Sequence, residues 1–124
     1  MSRDVAIVGI GYTNFRPLTP EVSYKELMYE AAVKAYEDAG IDPRRDVDSF
    51  GTVAEDFIEG TSIFDEYVPD QHGGLLKPKV TKPGEAIHCL ATAYMQVASG
   101  LFDVVAMEAK STATNLLTLP YITA

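Results

Sequence analysis

The stretch VTKPGEAIHCLATAYMQVASGLFDVVAMEA, Val80 to Ala109, decides the fold. It reads as an extended piece, a long helix and a strand. From Glu85 to Ser99 the apolar residues are Ile87, Leu90, Tyr94, Met95 and Val97, with small Ala86, Ala91, Ala93 and Ala98 between them. Charge is nearly absent after Glu85, and a helix apolar almost all round is expected to be buried. Gly100 ends it. DVVAMEA, Asp103 to Ala109, follows as a strand, and KPKVTK ahead of it is a short strand or extended piece whose Pro78 marks a start or an edge.

Working outward, VAIVGIG, Val5 to Gly11, is a near-continuous apolar run with β-branched residues. It predicts a first strand covered on both faces. In SYKELMYEAAVKAYEDAG, Ser23 is an N-cap and Glu26 completes a capping box. Leu27, Met28, Ala31, Ala32, Ala35 and Ala39 make one apolar stripe, and Gly40 sits where a left-handed residue closes a helix. The spacing predicts a helix over Tyr24 to Ala39. IDPRRD is a turn, and VDSFGTVAE gives a second strand, about Val47 to Ala54. Glu55 to Gly74 is acidic and aromatic, with Phe57, Phe64 and Tyr67, and reads as a loop with one short helix near Ile63 to Tyr67. Strands alternating with helices imply an α/β fold with a mostly parallel sheet.

The 124 residues provide one domain, and 47% hydrophobic content is enough for a core. A formal charge of −8 repels nucleic acid and anionic membranes, so neither is an expected partner. The single cysteine, Cys89, forms no internal disulfide, and the N-terminal apolar run is too short for a signal or a membrane span. A cytoplasmic protein is the expectation.

Several groups resemble sites. GIG at Gly9 to Gly11 suggests a dinucleotide-binding turn, with Glu55 and Asp56 imitating the ribose-binding acid. The third glycine of that pattern is absent at Asn14, and the helix waits until Ser23. Asp65, Glu66, Asp70 and His72 match neither an EF-hand nor a zinc spacing and read as a solvated acidic loop, so no metal is expected. Lys77, Lys79 and Lys82 could meet phosphates, but decorating an edge strand is their commoner role. His88 and Cys89 are helix neighbours pointing about 100° apart, so the imidazole does not activate the thiol. Cys89 also lies beyond the first turn, where the helix dipole sharpens a thiolate, and reads as a small buried apolar residue.

RDVAIVGIGYTNF, YEAAVKAYEDAGID and above all AYMQVASGLFDVVAMEAKST together resemble the thiolase superfamily, especially archaeal acetyl-CoA acetyltransferases and the sterol-carrier-protein type of thiolase. The resemblance spans almost all of this chain but only about the first third of a family member. It implies residues 1–124 as an incomplete thiolase-like N-terminal domain, strand order 3-2-1-4, with a fifth, antiparallel strand supplied from elsewhere. In the family, a nucleophilic cysteine at the junction of the third strand and the buried helix takes an acyl group from a CoA thioester. A His and a second Cys from the later half handle protons. Counting back from Ala98-Ser99-Gly100, the nucleophile's position falls on Pro83 or within one residue of it, beside Lys82 and Gly84, and none of these attacks a thioester.

The resemblance therefore implies a thiolase-related protein acting on acyl-CoA, with a CoA thioester as substrate, no cofactor, and no competence for thiolysis as an isolated chain. Two alternatives remain: a non-catalytic assembly subunit, or a retro-aldol lyase acting on a CoA thioester once complete. Thiolases dimerise around the third strand, which here is Lys79, Val80, Thr81 and Lys82, so a homo-oligomer or a companion chain is expected.

Overall fold

Helix α1, Tyr24–Ala39, begins where Ser23 and Glu26 close a reciprocal capping box: Ser23 Oγ accepts from Glu26 N at 3.2 Å, and Ser23 N donates to the Glu26 carboxylate at 2.8 Å. It ends at Gly40, which adopts φ 67°. IDPRRD does more than turn. Asp42 caps Arg44 N at 3.0 Å, and Pro43–Asp46 close into a four-residue helix, α2. The computed structural model describes residues 3–16, 19–53, 70–82 and 85–110. The remaining elements are β1 (Ser49–Val53), β2 (Lys79–Lys82), α3 (Ala86–Ala98) and β3 (Val105–Ala109).

The three strands form one parallel sheet in the order β2-β1-β3. β1 is central, pairing Gly51 with Val80 on one side and with Met107 on the other, and every residue of it is buried. Strand side chains alternate between faces. Gly51 faces α3, which packs on all three strands, while Phe50 and Thr52 face away. The buried apolar residues Val47, Phe50, Val53 and Cys89 gather about β1, with Met28 and Ala32 buried on α1. Among the described residues, no helix is long and apolar enough to cross a membrane.

The α/β class and the parallel sheet match the sequence reading, and β2, β1 and β3 keep the relative order of the third, second and fourth strands in 3-2-1-4; what differs is the expected first strand, which is missing between β1 and β3. The expected fourth strand, now β3, pairs directly with β1 over five consecutive residues, so no strand fits between them. Val5 to Gly11, expected as the first strand, joins no ladder among the described residues. Its glycines hold it against α1 instead. A Cβ at Gly9 would lie 2.4 Å from Ala35 O, and one at Gly11 would lie 2.1 Å from Ala31 O. Ile10 N donates to Asp38 Oδ2 at 2.9 Å, and Lys34 Nζ donates to Tyr12 O at 3.2 Å. The GIG glycines thus permit close approach to a helix, not to a pyrophosphate.

Helix α3 departs from the expectation of full burial. Cys89 and Ala98 are buried against the sheet, but Ile87 is 62% exposed, and Tyr94 and Met95 are exposed as well. The sheet covers only one face of the helix. The short helix at 63–67, with Phe57, Phe64 and Tyr67, lies outside the described residues.

Replacing Gly11 with Ala is expected to lift the N-terminal segment from α1. The added methyl meets backbone, which cannot rotate away, so a loss of about 1–3 kcal/mol should appear as a lower urea midpoint.

Candidate functional site

The junction of β2 and α3 is where the sequence reading places the thiolase nucleophile. Pro83 and Gly84 themselves lie outside the described residues; Lys82 closes β2 on one side and Glu85 caps α3 on the other. The Glu85 side chain makes no capping hydrogen bond. Cys89 sits one turn further along and is 1% exposed. A Cβ at Gly51 would lie 2.8 Å from its Sγ, so the thiol occupies the space that this bare backbone leaves. Burial pushes the Cys89 thiol pKa up, with the Lys82 ammonium acting weakly the other way. His88, next in sequence, is exposed, so the two side chains face different surroundings. The Cys89 side chain is thus buried between α3 and β1.

The lysines divide. Lys77 Nζ donates to the carbonyl oxygens of Val47 and, at 3.3 Å, Pro43, tying a loop rather than decorating an edge. Lys79 and Lys82 lie on β2, which has β1 on one side and no strand on the other among the described residues. Phe50 N donates to Pro78 O at 2.9 Å, which sets the phase of the ladder. Alternate residues, Lys79 and Thr81, therefore turn their N–H groups to the outer edge.

A second group of polar residues lies on the face of the sheet away from α3. His72 is buried there, not in a solvated acidic loop; Asp70 is exposed, and Asp65 and Glu66 lie outside the described residues, as do Glu55 and Asp56. The His72 ring packs on Phe50 with centroids 4.9 Å apart, and its Nδ1 is 3.8 Å from Glu108 Oε2. Its carbonyl accepts from Tyr36 Oη at 2.7 Å. Thr52 and Thr81 hydroxyls meet at 3.0 Å on the same face. Burial pushes the Glu108 carboxyl up to about 8, against the pull of Lys110, and pushes His72 down to about 4, helped by Lys79. Burial also raises the Tyr36 phenol, with Glu108 adding to the effect. The sequence reading missed Glu108 and Tyr36. A lone carboxylate inside the apolar run VVAMEA was the available signal. Among the described residues, no group of three His, Cys, Asp or Glu side chains could hold a metal.

The parallel α/β sheet, backed by an apolar helix that leads through ASG into β3, fits a partial thiolase-like fragment. Among the proteins it is similar to are two archaeal ones, each named acetyl-CoA acetyltransferase. The one from Methanocaldococcus jannaschii is 38% identical over 109 residues, covering 83% of this chain and 27% of the relative. The one from Methanothermobacter thermautotrophicus is 32% identical over 110 residues, covering 83% of this chain and 28% of the relative. The chain thus spans little more than a quarter of the length of these curated relatives. No family model matches it.

The fit of Cys89 into Gly51 is testable by coupling. Gly51→Ala should destabilise by about 1–3 kcal/mol through overpacking, and Cys89→Ala by about 1 kcal/mol through a small cavity. The double variant should lose less than the sum of the two, measured by denaturant unfolding. Native Cys89 should resist a neutral thiol reagent until the protein unfolds.

Proposed function

We propose that the chain contributes to a thiolase-related protein acting on acyl-CoA thioesters, and that by itself it carries out no thiolysis. The observation that supports this reading is the place of Cys89. Acyl transfer by a thiolase needs a thiolate poised where the thioester can reach it. The only cysteine of the chain is packed against Gly51, with burial favouring its neutral thiol. The nucleophile's position, by resemblance, belongs to Pro83 and Gly84, and neither side chain can form a thioester.

A role in assembly accompanies this reading and is favoured by β2. Its outer edge, with the Lys79 and Thr81 N–H groups turned outward, suits antiparallel pairing across a two-fold axis with a second copy or a companion chain. A retro-aldol role finds less support. It would need proton-transfer groups within reach of substrate, whereas His72 and Glu108 are withdrawn from solvent.

Two measurements test these readings. The purified chain, given acetoacetyl-CoA and CoA, is expected to show no thiolysis above background. Turnover that disappears in Cys89→Ala would reverse the assignment of the cysteine. In sedimentation at micromolar concentration the chain is expected to associate. Thr81→Pro, which removes an outward N–H, should shift it towards monomer, while Thr81→Val, which loses only the hydroxyl, should not. A soluble monomer of the unmodified chain would show that the edge is not used.

A further inference from the structure

The His72–Glu108 pair lies on the face of the sheet away from Cys89 and α3. His72 is 2% exposed and the Glu108 side chain 11% exposed. Neither His72 Nε2 nor Glu108 Oε2 has a hydrogen-bond partner among the described residues. Buried polar groups of this kind, left unpaired, lose their hydration without replacement and are costly. Their one close polar relation is to each other, at 3.8 Å.

His72 also anchors a loop. Residues 70–77 lead from it into β2, held by Tyr36 Oη at the His72 carbonyl and by Lys77 Nζ at the Pro43 and Val47 carbonyls. Between these two fastenings the loop turns through Leu76, a non-glycine residue at φ 62° that is 94% exposed. Such a backbone conformation is strained for a residue with a side chain and persists only where its surroundings enforce it. The loop therefore carries strain at its outer end and a buried imidazole at its inner end.

A proton count shows what the pair can do. Carrying one titratable proton, it has no net charge, either as a carboxylic acid facing an imidazole or as an imidazolium facing a carboxylate. Adding a proton buries a net positive charge, and removing one buries a net negative charge; both are costly away from water. We propose that His72 and Glu108 form a one-proton latch, which holds the 70–77 loop on the sheet while the pair carries one proton and releases it when the pair loses that proton or gains a second. On release the proton exchanges with water, and the charged group is solvated as the loop lifts.

The groups facing the pair among the described residues are the Tyr36 hydroxyl from α1, Lys79 from β2 and Lys110 after β3, whose ammonium also lies 4.1 Å over the Tyr24 ring. The two lysines disfavour a second proton. They offset only part of the burial of the carboxylate, since Glu108 stays raised to about 8 despite Lys110. Glu108 is raised above its ordinary 4.5, so its contribution to holding the loop is complete below that value and is lost as pH rises through about 8. His72 is lowered from 6.5, so its contribution is present above that value and is lost as pH falls through about 4. The alkaline limb is governed by Glu108 alone.

Amide hydrogen exchange of residues 70–77 in the intact chain, corrected for intrinsic exchange, tests the latch. Protection should be constant near neutrality and fall by about tenfold per pH unit above about pH 8, as expected for opening linked to one proton. Glu108→Gln, which cannot ionise, should remove that pH dependence. The same alkaline slope in the variant and the unmodified chain overturns the proposal. If Glu108→Gln does not fold, the His72 imidazole resonances of the unmodified chain decide. They should show no protonation near pH 6.5 and a shift as Glu108 ionises near pH 8. An ordinary imidazole titration near 6.5 overturns the latch.

Discussion

The contact between the Cys89 sulfur and the bare backbone of Gly51 sets how closely α3 can lie on the sheet. Any side chain at Gly51 would move the helix outward, and the rest of the packing follows from its present position. With α3 pressed onto β1 at this point, Gly51 and Met107 share the helix-facing side. Alternation then commits Phe50 and Thr52 to the opposite face, where His72 stacks on Phe50 and Thr81 meets Thr52. One missing side chain thus arranges both faces of the central strand.

Legibility in the sequence followed the range of the interactions. Helix α1 was readable to its ends, because the capping box of Ser23 and Glu26 and the left-handed Gly40 act within a few residues. The positions of β1, β2, α3 and β3 were readable within a few residues from local composition. The direct pairing of β1 with β3 was not, since it joins residues more than fifty positions apart. VAIVGIG carries the composition of a strand, yet the ladder bonds that define one come from neighbours, and Gly9 and Gly11 bind it to α1 instead. Composition likewise marked α3 as apolar all round but could not say how much of it the sheet covers.

The candidate site divides in the same way. Cys89 could be read as inert because helix position alone sets its distance from the helix N-terminus and its angle to His88. The His72–Glu108 pair was hidden. Its members stand thirty-six residues apart in sequence, and His72 lies in a stretch whose acidity suggested solvent. The thiolase-like character came from segment similarity, and the chemistry within it has to be judged from where this chain's own side chains stand.

The clasp at the edge of the molecule bears on how the chain reaches its structure. Arg3 N donates to Ala98 O at 3.0 Å, the Arg3 guanidinium pairs with Asp103, and Asp48 accepts from the N–H groups of Asp103 and Val104 at 3.0 Å. The first described residue is therefore fastened to residues about a hundred positions later. Contacts of such sequence separation slow folding, because a long loop must close before they contribute. During synthesis Ile7, Val8 and Ile10 emerge before α1 and can lean on it early, but the clasp at Arg3 waits until residues 98–103 have been made. Ile7, Val8 and Ile10 stay exposed even with the clasp in place, so this apolar, strand-prone segment stands open to other chains both before and after residues 98–103 are made.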